Sequence, residues 1–106
     1  MTVAVHDVPD RHRYEIVEDG EVLGFVTYRI DGGVIDLVHT EVDPSRSGQG
    51  LAATLVGYVL DDARRRGLGV LPHCPYVRSY IDARAEQYLD LVPPDRRAEF
   101  GWDDGR

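Results

Sequence analysis

A single α/β (α+β) domain is expected, with a mixed sheet that is antiparallel in its N-terminal half and closed by a parallel strand pair around a central helix. Three features of the 106-residue chain predict it. Asp19-Gly20 and Asp31-Gly32-Gly33 separate three β-rich runs, and Asp-Gly pairs accept the positive φ angles of tight hairpins. At Asp43-Pro44 the apolar period changes from two residues to nearly four, so a strand gives way to a helix. A short apolar run from Gly69 to Cys74 follows that helix, and strand, helix, strand order makes the two strands parallel.

Along the chain, residues 1–13 carry Pro9 and mixed charges without sustained periodicity. They read as a mobile lead-in, in which Val3 and Val5 could add a short strand. Tyr14, Ile16 and Glu18 mark the first firm strand, Glu21 to Ile30 the second and Val34 to Val42 the third. In the third, two-residue alternation puts Ile35, Leu37, His39 and Glu41 on one face and Asp36, Val38 and Thr40 on the other. The central helix is written in Leu51, Leu55, Val59 and Ala63, flanked by Ala52, Val56 and Leu60. Arg64, Arg65 and Arg66 complement its negative end and Gly67 stops it. A second helix is expected from Val77 to Leu91, broken by Pro93-Pro94. Residues 14–92 form the core of the domain, with 1–13 and 95–106 as terminal extensions; Phe100 and Trp102 are the tail's candidates for docking.

Composition narrows the function. A formal charge of -7 argues against a nucleic-acid partner, which calls for an excess of Lys and Arg, and suits a cationic substrate. No apolar run is long enough to span a bilayer, and no secretory leader is visible at the N-terminus, so a cytoplasmic protein without a membrane partner is expected. The single cysteine, Cys74, rules out an intramolecular disulfide and a multi-cysteine zinc site, and no metal is expected. A chain of this size holds one core and one main site; a monomer or weak homodimer is expected.

The stretch SRSGQGLAATL, Ser45 to Leu55, carries the most chemistry. A strand running through a glycine turn into a helix exposes backbone N–H groups that have no intrahelical partner, and the helix dipole adds partial positive charge there. Phosphate is the natural occupant, and glycine at 48 and 50 keeps side chains out of its way. An ordinary helix start with Ser47 as N-cap is the alternative reading. The chain lacks the Gly-x-x-x-x-Gly-Lys-Ser/Thr pattern of a P-loop and the third glycine of a dinucleotide fingerprint.

Ser47-Gly48-Gln49-Gly50-Leu51-Ala52 resembles the Arg/Gln-x-x-Gly-x-Gly/Ala signature of the GNAT superfamily of acetyl-coenzyme A-dependent N-acetyltransferases. HTEVDPSRSGQGLA together with LPHCPYVRSYI is similar to the compact branch of about 100 residues, which lacks the two early helices of larger members. Ser47 stands where the signature has Arg or Gln, with Arg46 one position earlier. The resemblance implies that amides from Ser47 through Gly48, Gln49, Gly50 and Leu51 to Ala52 bind the pyrophosphate of coenzyme A, with Arg46 reaching it from its shifted position. It implies that the backbone at Glu41 and Val42 pairs with the pantetheine arm, and that the acyl thioester enters a gap between strands ending in HTEV and PHCP. It also points to Tyr80, with Tyr76 as second candidate, as a proton donor to the leaving thiolate near the cofactor.

Among residues able to move a proton, His39 titrates near neutrality and stands on the strand before the glycine turn, where it could accept a proton from an amine; a core histidine is the competing reading. Glu41 and Asp36 are fallback bases. Cys74 lies close to the expected thioester and could act covalently as a thiolate, or be an inert buried thiol. The expected activity is acetyl transfer to the primary amine of a lysine or of a small molecule, by a protein that takes an amine-bearing small molecule or protein as partner; the alternative is a non-catalytic coenzyme A-binding or interaction module.

Overall fold

The computed structural model describes residues 2–46 and 48–102. One five-stranded sheet carries the strands in chain order, β1 (Val3–Val8), β2 (Arg13–Glu18), β3 (Glu21–Asp31), β4 (Val34–Val42) and β5 (Gly69–Pro72). The first four are antiparallel neighbours, while β5 runs parallel to β4. The crossover is helix α1 (Leu51–Arg65), followed after β5 by α2 (Pro75–Ala83), α3 (Ala85–Tyr88) and a 3-10 segment from Pro94 to Phe100. Among the described residues no helix is long and apolar enough to cross a membrane.

Alternation on β2 and β3 sends Tyr14, Ile16, Val26 and Tyr28 to one face, where α1 covers them with Leu55, Val56, Val59, Leu60 and Ala63. Burying each such Val, Leu or Ile side chain stabilises by about 1.5–3 kcal/mol, so α1 holds to the sheet along its whole length. At its C-terminal end polar bonds finish the job. The Tyr14 hydroxyl donates to Asp62 at 2.5 Å, Arg66 donates to the Tyr14 oxygen at 3.0 Å, and the Tyr28 hydroxyl donates to Asp7 on β1. Arg65 and Arg66 both pair with Asp62. Burial, then the Asp62 and Asp7 carboxylates, push the Tyr14 and Tyr28 phenols well above the ordinary phenol range.

Four details differ from expectation. The first residues are no loose lead-in: Val3–Val8 pairs with β2 throughout. The connection is a 3-10 turn, Pro9–Arg11, closed by His12 at φ 54, and carries no glycine to announce a hairpin. The second helix is shorter and broken, because Arg84 leaves helical geometry at φ -129 and lays its guanidinium over the Tyr80 ring at 3.8 Å. Strand β5 stops at Pro72 rather than Cys74. Most consequential, Thr27 faces His39 while Tyr28 faces Leu37, so Val38 is an extra residue in β4. A bulge of this kind shifts the alternation by one; beyond it Thr40 and Val42 take the helix-covered side, and His39 and Glu41 turn to the uncovered face beside Phe25. The terminal extension at the other end is likewise ordered as far as it is described, with Phe100 buried.

Gly24 shows how closely β3 and β4 approach near the end of the pair. A Cβ there would meet the Glu41 carbonyl oxygen at 2.7 Å and Val42 Cγ2 at 3.0 Å. Gly24→Ala is therefore expected to cost about 1–3 kcal/mol of stability, read by urea unfolding. Alkaline pH probes the buried phenols. The Tyr88 hydroxyl bonds Asp61 at 2.9 Å, tying α3 to α1, and burial followed by that carboxylate pushes its pKa up to about 12. A phenol raised in the folded state contributes stability that is full below about pH 10 and is lost as pH climbs through the folded value. The unfolding free energy should fall from about pH 10 upward, and less steeply in Tyr88→Phe.

Candidate functional site

The glycine turn links β4 to α1. Asp43 opens it: its carboxylate accepts the Ser45 N–H at 2.9 Å and the Ser45 hydroxyl at 2.8 Å. These two bonds hold the Asp43 carboxyl below the usual range. A single 3-10 turn, Pro44–Arg46, follows. Ser47 lies outside the described residues, so its predicted parts as N-cap and as cofactor contact have no structural account. The residue that precedes α1 is Gly50, at φ 73, and among the described residues no side chain caps the helix. Gly48, at φ 85, shares the left-handed conformation, and neither glycine has any atom within 4 Å of where a Cβ would stand. The left-handed conformation calls for glycine here, while the open space would admit a side chain.

The first turn of α1 thus has N–H groups that no described side chain caps. In front of it lies a cleft of about 280 Å³ lined by Val42, Asp43, Pro44, Arg46, Gly48, Gly50, Leu51, Ala52, Ala53 and Tyr76. Arg46 borders the cleft, yet its guanidinium donates to Glu18 at 2.8 Å and to Gln49 at 3.2 Å. Glu18 is a buried carboxylate at the end of β2, and its hydrogen bond strengthens Arg46's hold on its proton. The arginine thus ties the turn to the sheet.

The predicted gap between strands is present. Parallel pairing of β4 with β5 covers Val34 to Leu37 against Gly69 to Pro72. One more bond, from the Cys74 N–H to the Leu37 carbonyl at 2.8 Å, closes the fork. From Val38 onward β4 has no ladder partner on the β5 side. Cys74 sits in the fork, 3% exposed, with Sγ 3.2 Å from the Thr40 hydroxyl. Thr40 escaped sequence reasoning, since only the Val38 bulge brings it to that side.

The other expected residues are dispersed. His39 and Glu41 stand together on the uncovered face, with Nε2 and Oε2 3.5 Å apart and side chains 58% and 63% exposed. Their backbone remains part of the unpaired β4 edge. Tyr80 packs against α1, where its hydroxyl would lie 2.8 Å from a Cβ on Gly57. Tyr76, one turn earlier, is the tyrosine that lines the cleft. Asp36, the other fallback base, bonds His73 Nδ1 at 2.6 Å. Among the described residues no group of three or more His, Cys, Asp or Glu side chains could hold a metal.

Comparison with known proteins agrees with this geometry. Residues 13–91 match the family described as GCN5-related N-acetyl-transferase. A GCN5-like protein from Staphylococcus aureus, to which N-acetyltransferase activity is ascribed and whose solution structure was determined by NMR, superimposes with a TM-score of 0.64. Identity is 23%, and the alignment covers 85% of this chain and 87% of that one. The crystal structure of ribosomal-protein-alanine N-acetyltransferase from Brucella melitensis biovar Abortus 2308 aligns at TM-score 0.52 and 23% identity, over 76% of this chain and 61% of that one. At these identities the two structures speak to the fold.

Cutting the Arg46 tie strands a buried carboxylate, a state costlier than losing both partners. Arg46→Ala should therefore lower the melting temperature, and Arg46→Ala with Glu18→Ala should restore much of the loss. Differential scanning calorimetry of the two variants checks this.

Proposed function

The chain belongs to the GCN5-related N-acetyltransferase family, an N-acetyltransferase by that membership, and we propose that it acetylates a primary amine, a protein or peptide lysine or a small amine, from acetyl-coenzyme A. One observation carries the reading: a helix start that no described side chain caps, whose two left-handed glycines open onto a cleft that runs up to an unpaired strand edge. These residues fit the cofactor. Amides of Gly48, Gln49, Gly50, Leu51 and Ala52 would hold its pyrophosphate, as donors at a helix N-terminus do for anions generally. Arg46 would add charge at the rim only on leaving Glu18, its partner at 2.8 Å. The free edge of β4 at Glu41 and Val42 would take the amide-bearing arm in the manner of an added strand. When bound, acetyl-coenzyme A supplies the acetyl group as a thioester.

The chain's own residues then handle protons. An amine is a nucleophile only when neutral, so a base near the approach path is required. His39, on the uncovered face with Glu41 beside it, takes the proton from the incoming ammonium at Nε2 or passes it to water. Cys74 and Thr40 meet in the fork, Sγ 3.2 Å from the hydroxyl. Tyr76, which lines the cleft, would hand a proton to a departing thiolate, whereas Tyr80 packs α2 on α1. The chain's negative charge favours cationic acceptors by field alone.

Coenzyme A should stabilise the protein by mass action, by about 2.7 kcal/mol at a hundredfold excess over Kd. Gly50→Glu should abolish the thermal shift by placing a carboxylate in the cradle, while Gly50→Ala isolates the backbone strain at φ 73 from the charge effect. Intact-mass analysis with acetyl-coenzyme A and a panel of lysine peptides and polyamines should show acetylated acceptor; a thermal shift without any transfer would leave a binding module in place of an enzyme.

A further inference from the structure

His73, just past the end of β5, touches both β4 and the C-terminal segment. Its Nδ1 lies 2.6 Å from Asp36 Oδ1 on β4, and its Nε2 lies 3.6 Å from Glu99 Oε2 in the segment Pro94–Phe100. The Phe100 ring meets the imidazole edge-on, with centroids 4.9 Å apart. Asp36 faces Leu71 in the last stretch of parallel pairing, so the bond from His73 extends the β4–β5 contact just past the ladder's end. Cys74 is the next residue and also the N-cap of α2. Whatever holds His73 holds the turn that carries Cys74.

We propose that His73 is a positioning residue: its ring, set between Asp36 and Glu99, clasps β4 to the C-terminal segment at the fork of the sheet and so fixes the turn bearing Cys74. Each ring nitrogen faces a carboxylate, and only the protonated ring donates from both. On losing a proton the ring keeps the shorter bond to Asp36 and turns a lone pair toward Glu99. The strap then retains Phe100 in its socket and the bonds from Arg97 to the Val92 and Leu89 carbonyls, but loses the tie between Glu99 and His73.

The charged groups around the ring support this division of labour. Glu99 is also held by Arg96 within its own segment, at 2.5 Å, and that partner keeps the Glu99 carboxyl below its usual range. Arg78 of α2 lines the same cleft of about 330 Å³ as His73, Pro75, Glu99 and Phe100. On β3, Arg29 stands across from Asp36. Arg96 also lines a cleft with Asp36, so each carboxylate flanking the ring has an arginine near it.

Trp102 supplies the reporter. It is the chain's single tryptophan, its indole N–H donates to Asp82 of α2 at 3.0 Å, and its ring lies 6.4 Å from Phe100. Tryptophan emission is to be followed between about pH 5.5 and 8.5, the span in which an imidazole changes charge. The full-length wild type should show one transition, and His73→Gln should show none, since Gln donates a single N–H to Asp36 and does not titrate. Glu99→Gln should give, already at the acid end, the emission of the wild type at the alkaline end. An unchanged transition in His73→Gln, or none in the wild type, overturns the proposal.

A kinetic arm rests on the acetyl-transfer reading. His73→Ala and Asp36→Ala should lower kcat about tenfold, with the apparent KM for acetyl-coenzyme A within about twofold, as expected for a displaced turn rather than a lost contact. His73→Gln should recover most of the rate by keeping the Asp36 bond. Wild-type kcat in Asp36→Ala overturns the positioning role. If coenzyme A fails to stabilise the wild type while the emission transition still depends on His73, the clasp stands and the acetyl-transfer reading falls.

Discussion

The rest of this structure depends on where β4 and β5 part. Four residue pairs hold them together, and past Leu37 and Pro72 the ladder ends with the Cys74 N–H on the Leu37 carbonyl. Proline at 72 brings no N–H to continue it, and the extra residue at Val38 offsets β4 just where a further pair would form. The unpaired edge of β4, the burial of Cys74 beside Thr40 and the reach of His73 across to Asp36 all follow from that early ending.

The two ends of α1 answer to opposite demands. Its C-terminal end is bound by Tyr14, Arg65 and Arg66 around Asp62, within a network that runs on through Asp7 and Tyr28 to β1 and β3. At its N-terminal end no described side chain forms a cap, and Arg46, which lines the cleft there, is drawn aside to Glu18. A helix anchored at one end by buried polar bonds can leave the other end bare without losing its place, because apolar contacts along Leu55, Val59 and Ala63 fix the axis. The bare end is where an anion is best received.

Much of this was legible in the sequence, and the reasons are local. Asp-Gly pairs named both hairpins, and the four-residue apolar spacing of Leu51 to Ala63 named α1 with its buried face. The glycine turn was legible because φ angles of 85 and 73 leave few other residues able to stand there. What stayed hidden depended on long-range pairing. A bulge at Val38 has no residue signature, since valine suits either face, yet it moved His39 and Glu41 to the uncovered side and Thr40 to the fork. The bonds from Thr40 to Cys74 and from Asp36 to His73 join residues 34 and 37 positions apart, and only the parallel register decides which of them meet. Strand β1 was obscured by a turn built on Pro9–Arg11 and a left-handed His12.

The order of strands in space repeats their order in the chain, with a kinetic consequence. Every antiparallel pairing is a neighbour joined by a short connection, whereas β5 reaches β4 only after the whole of α1 has been laid across the sheet. Contacts that close longer loops cost more chain entropy and tend to form late. The β5 side of the fork, with Cys74, is therefore attached by the least local contact in the sheet. The meander of β1 to β4 can persist while that contact breathes, so the fork can widen through a local opening that leaves the scaffold folded. Entry to the fork is then set by the stability of a single four-residue strand.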